Sequence, residues 1–215
     1  MTYISTPPSQ LRPTCTAWSI PQEAVLDGSP QPRTRNAAAT REAILASARD
    51  RFARYSYDDV GLRDIAGDAG VDAAMIHRYF GSKDDLLSAT LDSCEVGHDL
   101  FDGPRETFGQ RVADEIVRRC KSGEQLQGMQ IMLHSIGSAK AAQIVQASAQ
   151  TDFFAPFEAW LGGPDTAVRV RILAGLIMGM GISRELGGGF GLPDSEADRL
   201  CDRLADLIQS MVDDT

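Results

Sequence analysis

The chain has 215 residues, a formal charge of −9, 43% hydrophobic and 24% charged side chains, a balance that builds a sizeable packed core and excludes a fibre or a wholly disordered acidic chain. Its longest uncharged apolar run, Ile172 to Ile182, is eleven residues with three glycines, short of the roughly 20 that span a bilayer, so no transmembrane segment is expected. Residues 1–25 hold no basic stretch followed by an apolar one, and Cys15, Cys94, Cys120 and Cys201 form no C-x-x-C. The expectation is a cytoplasmic protein without secretory signal, disulfide framework, metal site or cofactor.

Six of the ten prolines fall in the first 32 residues, and residues 1–36 read as a mostly disordered arm. The charge divides as −1, 0 and −8 over residues 1–32, 33–91 and 92–215. The middle segment is therefore neutral inside a chain that as a whole repels polyanions. Ile44, Leu45, Ala48 and Phe52 recur on one stripe of a first helix, with Thr40 near its start. Leu62, Ile65, Ala66 and Ala69 share a face of a short second helix, which Gly70 ends by supplying a left-handed residue. Asp72 is a good N-cap for a third helix, Ala73 to Phe80. Helix, glycine turn and helix form the helix-turn-helix unit.

Ala66 is small where two such helices must touch, and Ile65, Val71 and Ile76 are apolar where they would wedge the pair at a fixed angle. On a helical wheel Ile76, Tyr79 and Phe80 share one arc of the third helix, predicted to face the core. Ala73, Ala74, Met75, His77 and Arg78 share the other. The two alanines offer methyls to thymine, and His77 and Arg78 offer donors to base edges or phosphates.

These residues carry a resemblance. The run Thr40 to Leu91, above all T-R-E-A-I-L, L-R-D-I-A-G-D-A-G-V-D and I-H-R-Y-F-G-S-K-D-D-L-L, looks like the DNA-binding head of the TetR family of bacterial repressors. The resemblance implies an all-α fold: a three-helix helix-turn-helix head over 37–84, then a helical ligand-binding and dimerisation domain over 85–215. It also implies a homodimer on a palindromic double-stranded operator, released by a small-molecule effector. Thr40, Arg63, Ala73, Ala74, His77, Arg78, Tyr79 and Lys83 occupy places that in this family commonly meet DNA, and Asp72 completes the candidate set. Two residues depart from the pattern. Gly61 stands where Ser or Thr usually caps the second helix, and His77 where Tyr is common. Lys83, after Gly81-Ser82, would meet a phosphate at a helix N-terminus, and Arg33 and Arg35 in the arm would follow a groove or the backbone.

Beyond the head, the fourth helix is expected to run from Lys83 to about Phe101, with others near 104–121, 125–135, 138–160, 165–186 and 195–212. Ser122-Gly123, Gly162-Gly163-Pro164 and Gly187 to Gly189 are the stops between them. Leu173, Leu176, Ile177 and Met180 make a stripe on the penultimate helix, where Gly175 and Gly179 would let another backbone come close; Leu200, Leu204, Leu207, Ile208 and Met211 make one on the last. A four-helix dimer interface through Gly175, Gly179, Leu200, Leu204, Leu207 and Met211 is the favoured reading, and completion of a monomer core is the alternative. Met129, Met132, His134, Phe153, Phe154, Phe157, Trp160 and Met178 are candidates to line an apolar or aromatic ligand cavity, with simple core packing the alternative for each. His98 reads as an ordinary helix histidine, and Gly187 to Gly191 lacks the Lys-Ser/Thr of a phosphate loop. No nucleophile, base and oxyanion set or metal-ligand spacing points to an enzyme. The rival functions are a helical small-molecule binding protein or enzyme that does not use its head, and a helical adaptor.

Overall fold

The computed structural model describes residues 33–94, 100–118 and 123–214, with side chains described from Ala37 and, after residue 122, from Leu126. The proline-rich arm with Cys15 and Trp18, the side chains of Arg33 and Arg35, and His98, Cys120 and Ser122 lie outside that description. All regular elements among the described residues are helical.

Helix α1 spans Arg33–Arg54 and begins seven residues ahead of Thr40. Residues 33–36, expected in the arm, form its first turn, because Ala37, Ala38 and Ala39 are the best helix formers and α1 itself holds no proline. A 3₁₀ turn, Tyr57–Asp59, leads to α2, Leu62–Asp68. Gly70 takes φ +67° as expected, and the Val71 N–H reaches back to the Ala66 carbonyl at 2.9 Å, which closes α2. Helix α3 is Ala73–Phe80, and the Asp72 carboxylate caps it by accepting from the Ala74 N–H at 2.8 Å.

Helix α4 spans Lys83–Asp92, opened by a reciprocal Ser82 and Asp85 capping box. It stops nine residues short of the expected end at Phe101. Thr90 donates its hydroxyl to the Leu86 carbonyl at 2.6 Å, and the Ser93 hydroxyl and Cys94 thiol both donate to the Thr90 carbonyl. Such side chains compete with the helical ladder at the point where it fails.

A 3₁₀ turn at Arg105–Thr107 follows Pro104, so α5 is Phe108–Val117 rather than a helix from 104. Then come α6, Gly123–Ser135, and α7, Ala139–Ala149. The single helix expected over 138–160 is nearly continuous: α7 passes through a wide π turn, Gln150–Phe154, into α8, Ala155–Leu161. Pro156 explains the widening, because it has no N–H to give the ladder and its ring must clear the carbonyl one turn back. Helices α9, Thr166–Leu186, and α10, Asp194–Asp213, fall where expected.

Two buried clusters form. The first joins Ile44, Leu45, Phe52, Ile65, Ile76, Leu86 and Leu87 of the head with Ile131 of α6 and Ala141 of α7, so the packing does not divide at residue 84. The second joins Phe108, Val112, Ile116, Phe157, Leu161, Leu173, Leu204 and Ile208 from α5, α8, α9 and α10. Helices α5 and α10 approach closely at Gly109, where a Cβ would stand 2.3 Å from the Ala205 carbonyl oxygen. Arginines close the helix ends. Buried Arg169 donates to the carbonyls of Gly162, Pro164 and Met211, Arg105 to that of Val212 and Arg184 to that of Ile116. Each brings positive charge to carbonyls at or just past a helix C-terminus.

Candidate nucleic-acid interface

Ile76 is completely buried and fixes α3 to the head core. Ala73, Met75, Tyr79 and Phe80 pack partly against the same cluster. The outward arc is therefore narrower than the wheel predicts. It holds Ala74, His77 and Arg78, while Ala73 and Met75 turn inward. His77 lies at the end of this arc with Nδ1 2.8 Å from the Gly81 carbonyl oxygen. Arg78 and, on α2, Arg63 are exposed and have no ion-pair partner among the described residues. Gly61, which caps α2 without a side chain, has its outer face occupied by Asp64, whose Oδ2 would meet a Cβ there at 2.7 Å.

Besides Ala73, three members of the expected set sit differently. Thr40 lies mid-helix in α1 and is half-buried. The Asp72 carboxylate is committed to the cap of α3, and its charge disfavours a phosphate neighbour. The Lys83 ammonium turns inward to donate to the Tyr57 carbonyl and stands 4.1 Å from the centre of the Tyr57 ring. Burial pushes its pKa down, against the pull of Asp58, Asp84 and Asp59. One cation escaped the sequence reading. Arg41 of α1 stands 5.1 Å from the centre of the Phe80 ring, beside the end of α3. Only its contact with the Phe80 ring, 39 residues on, reveals it, because nothing in the local spacing marks that residue.

The head is also wired to α7. Tyr57 donates its hydroxyl to Asp84, whose other oxygen pairs with Lys140 at 2.8 Å, and Ser138 donates to Asp58 at 3.2 Å. The Lys140 and Tyr57 hydrogen bonds hold the Asp84 carboxyl below the usual carboxylate range, and Asp84 in turn raises Lys140.

Residues 44–90 match the family model described as bacterial regulatory proteins, tetR family, and residues 106–212 match the tetracyclin repressor-like C-terminal domain. The chain belongs to the TetR family. The transcriptional regulator BetI of Brucella anthropi is 43% identical over 77 residues, which cover 34% of this chain and 39% of BetI. A BetI of Agrobacterium fabrum is 42% identical over 53 residues, 25% of this chain and 26% of that protein. The matched segment thus spans only about a quarter to two fifths of these curated relatives. Among solved structures, NalD, the secondary repressor of the MexAB-OprM multidrug efflux pump in Pseudomonas aeruginosa, superposes with a TM-score of 0.61 at 18% identity over 78% of this chain and 95% of NalD. A regulator of Saccharomonospora viridis, solved in complex with choline, gives 0.54 at 21% identity over 80% of this chain and 96% of that one. At these identities the likeness is one of fold.

In this TetR-family chain the expected ligand set does not assemble. Met129 is buried and Met132 half-buried in α6, His134 on the same helix is exposed, and Met178 is 45% exposed on α9. Phe154, Phe157 and Trp160 belong instead to an aromatic group with Phe101, Phe108 and Phe153, whose ring centres lie 4.7 to 6.0 Å apart. Helical periodicity put these side chains on apolar faces, but the faces meet different neighbours. Arg171 and Arg105 cover two of the rings, Phe154 at 4.1 Å and Trp160 at 5.4 Å from guanidinium carbon to ring centre.

The expected interface set also divides. Leu204 is 5% exposed and packs against α5 within the protomer, and Leu200 and Met211 are half-buried. Leu207 is 49% exposed. A Cβ on Gly175 or Gly179 would meet nothing within 4 Å, so the close backbone approach expected there does not occur inside the protomer. The two glycines share an outward face of α9 with Val168 and Ile172, 58% and 49% exposed. By length and composition α9 is long and apolar enough to cross a bilayer, contrary to the sequence expectation. Its Leu173 face is nevertheless packed into the second cluster, and Arg169 and Arg171 near its start are bonded to Gly162 and Glu158.

Proposed function

We propose that the chain is a cytoplasmic homodimeric repressor that binds a palindromic operator through α3 and is released by a small apolar or aromatic effector. The observation that carries the DNA reading is the outward arc of α3: small Ala74 beside His77 and Arg78, on a helix anchored by Ile76 and capped at Asp72, with exposed Arg63 on α2. Small residues let the helix backbone approach base edges, and the two guanidinium groups supply phosphate or guanine contacts. The outward Val168, Ile172, Gly175 and Gly179 face of α9 supports the dimer, because a two-fold axis there would bury it against itself, and a palindrome with half-sites about 34 Å apart calls for two α3 helices. The half-exposed Phe154 and Trp160 rings support an aromatic effector.

Selection of binding sites from a randomised duplex pool, followed by mobility shift, tests the reading. A palindromic consensus bound by two chains is the expected outcome. Failure to enrich any sequence at low salt would overturn it in favour of a small-molecule binding protein or an adaptor.

A further inference from the structure

We propose that His77 reads one base in each operator half-site as a hydrogen-bond acceptor, taking a proton from an exocyclic amino group, adenine N6 or cytosine N4. The proposal rests on the DNA-binding reading above and assigns the chemistry of one of its contacts. A carbonyl oxygen only accepts, so the 2.8 Å approach of His77 Nδ1 to the Gly81 carbonyl requires the proton on Nδ1. Neutral His77 is thereby held in a single tautomer, and Nε2, on the far side of the ring, is a bare acceptor.

The anchor is itself fixed. The Gly81 N–H donates back to the His77 carbonyl at 3.0 Å, so the two residues are tied by two hydrogen bonds. Gly81 holds φ +88°, which a side-chain-bearing residue rarely adopts. The next residue is pinned on both sides: the Ser82 N–H and hydroxyl donate to Asp85 Oδ2 at 3.0 and 2.6 Å, and the Asp85 N–H donates to the Ser82 hydroxyl at 3.1 Å. A ring tethered at both the Cα and Nδ1 presents Nε2 in a set direction, on a residue that shares the outward arc with Ala74 and Arg78. In the major groove adenine and cytosine offer N–H donors, whereas guanine and thymine offer acceptors to a side chain. A bare acceptor selects the former. Arg78, which only donates, pairs best with guanine, whose O6 and N7 accept together, so the two neighbours on the arc favour different bases.

The test uses the intact protein and a selected operator in mildly alkaline buffer. His77→Ala first identifies the base pair whose preference it abolishes. At that pair the exocyclic amine is then removed, by purine for adenine or the 4-unsubstituted pyrimidinone for cytosine, and in a separate duplex purine N7 is removed with a 7-deaza base. Loss of the amine is expected to weaken wild-type binding by about 5-fold or more, the usual cost of one mismatched pair, and to leave His77→Ala unchanged. Loss of N7 is expected to act on both proteins alike. An effect of the 7-deaza base seen with the wild type and absent from His77→Ala, or none of the amine, would overturn the proposal, as would a His77→Ala variant that retains every preference. Absence of operator binding by the wild type itself would mark failure of the DNA reading instead.

Discussion

Replacing Gly109 by alanine is expected to lower stability, although alanine is the better helix former. In α5 a Cβ at this position would stand 2.3 Å from the Ala205 carbonyl oxygen and 2.9 Å from both Cβ and N of Gln209 in α10. Ordinary contacts lie near 3.5 Å, so the helices must part by about 1 Å, a gap that forfeits a quarter to a half of the dispersion between the atoms it separates. Those atoms include Val112 and Ile116 facing Leu204 and Ile208, and the hydrogen bond from the Gly109 N–H to the Gln209 side chain at 2.9 Å is stretched as well. Overpacking of this kind costs about 1–3 kcal/mol, and the gain in helix propensity returns at most about 1 kcal/mol. A net loss of about 1–2 kcal/mol corresponds to a fall in Tm of roughly 2–8 °C for a chain of this size. Thermal melts followed by circular dichroism, supported by urea titration, measure it. Gly67→Ala in α2 is the control, because a Cβ there meets nothing within 4 Å, and this variant should melt at or above the wild type. A Gly109→Ala protein as stable as the wild type beside a well-behaved control would refute the close approach of α5 and α10.

Gly179→Arg, on the outward face of α9, should yield folded monomers in sedimentation velocity, whereas Leu204→Glu, inside the protomer, should lose its circular dichroism signal before its dimer; the reverse pattern would exchange their roles. Asp84 is held below its ordinary value of 3.8 by Lys140 first and Tyr57 second, so the link between the head and α7 persists at neutral pH and is lost only as acid protonates the carboxylate. Carbon-13 titration of Asp84 in Lys140→Met should show its midpoint moving upward, and an unmoved midpoint would dissolve that link. Cys94 and Cys201 are buried, and burial raises the Cys201 thiol, so peptide mapping after brief alkylation should find both unmodified until denaturant is added.

The head was legible because its determinants are local. Gly70, Asp72 and the apolar positions of α2 and α3 act within a few residues of one another, so spacing alone carries the turn, the cap and the buried side of the helix. The inner limit of the α3 arc was missed at Ala73 and Met75, where contact depends on helices distant in sequence. The same reason accounts for the C-terminal half. Periodicity shows that α9 has apolar faces but not which of them meets α5 and α10; the Leu173 side does, and the Ile172 side does not. Gly109 looked ordinary and Gly175 looked special because a glycine signals close approach only once the opposite helix is known. The end of α4 turned on hydroxyl and thiol side chains, Thr90, Ser93 and Cys94, bonding to carbonyls within the last turns, a competition that an apolar pattern does not register.

The sharing of the first core by Leu86, Leu87, Ile131 and Ala141 bears on modularity. Regulators of this build invite chimaeras, in which one DNA-binding head is joined to another C-terminal domain. A joint placed after residue 84 would hand the transplanted reader a foreign floor, with Ile44, Leu45 and Ile76 resting on side chains chosen for a different partner. A graft that carries the inward residues of α4, α6 and α7 with it moves a complete unit, and the seam then falls on solvent-facing positions where mismatched chemistry costs little.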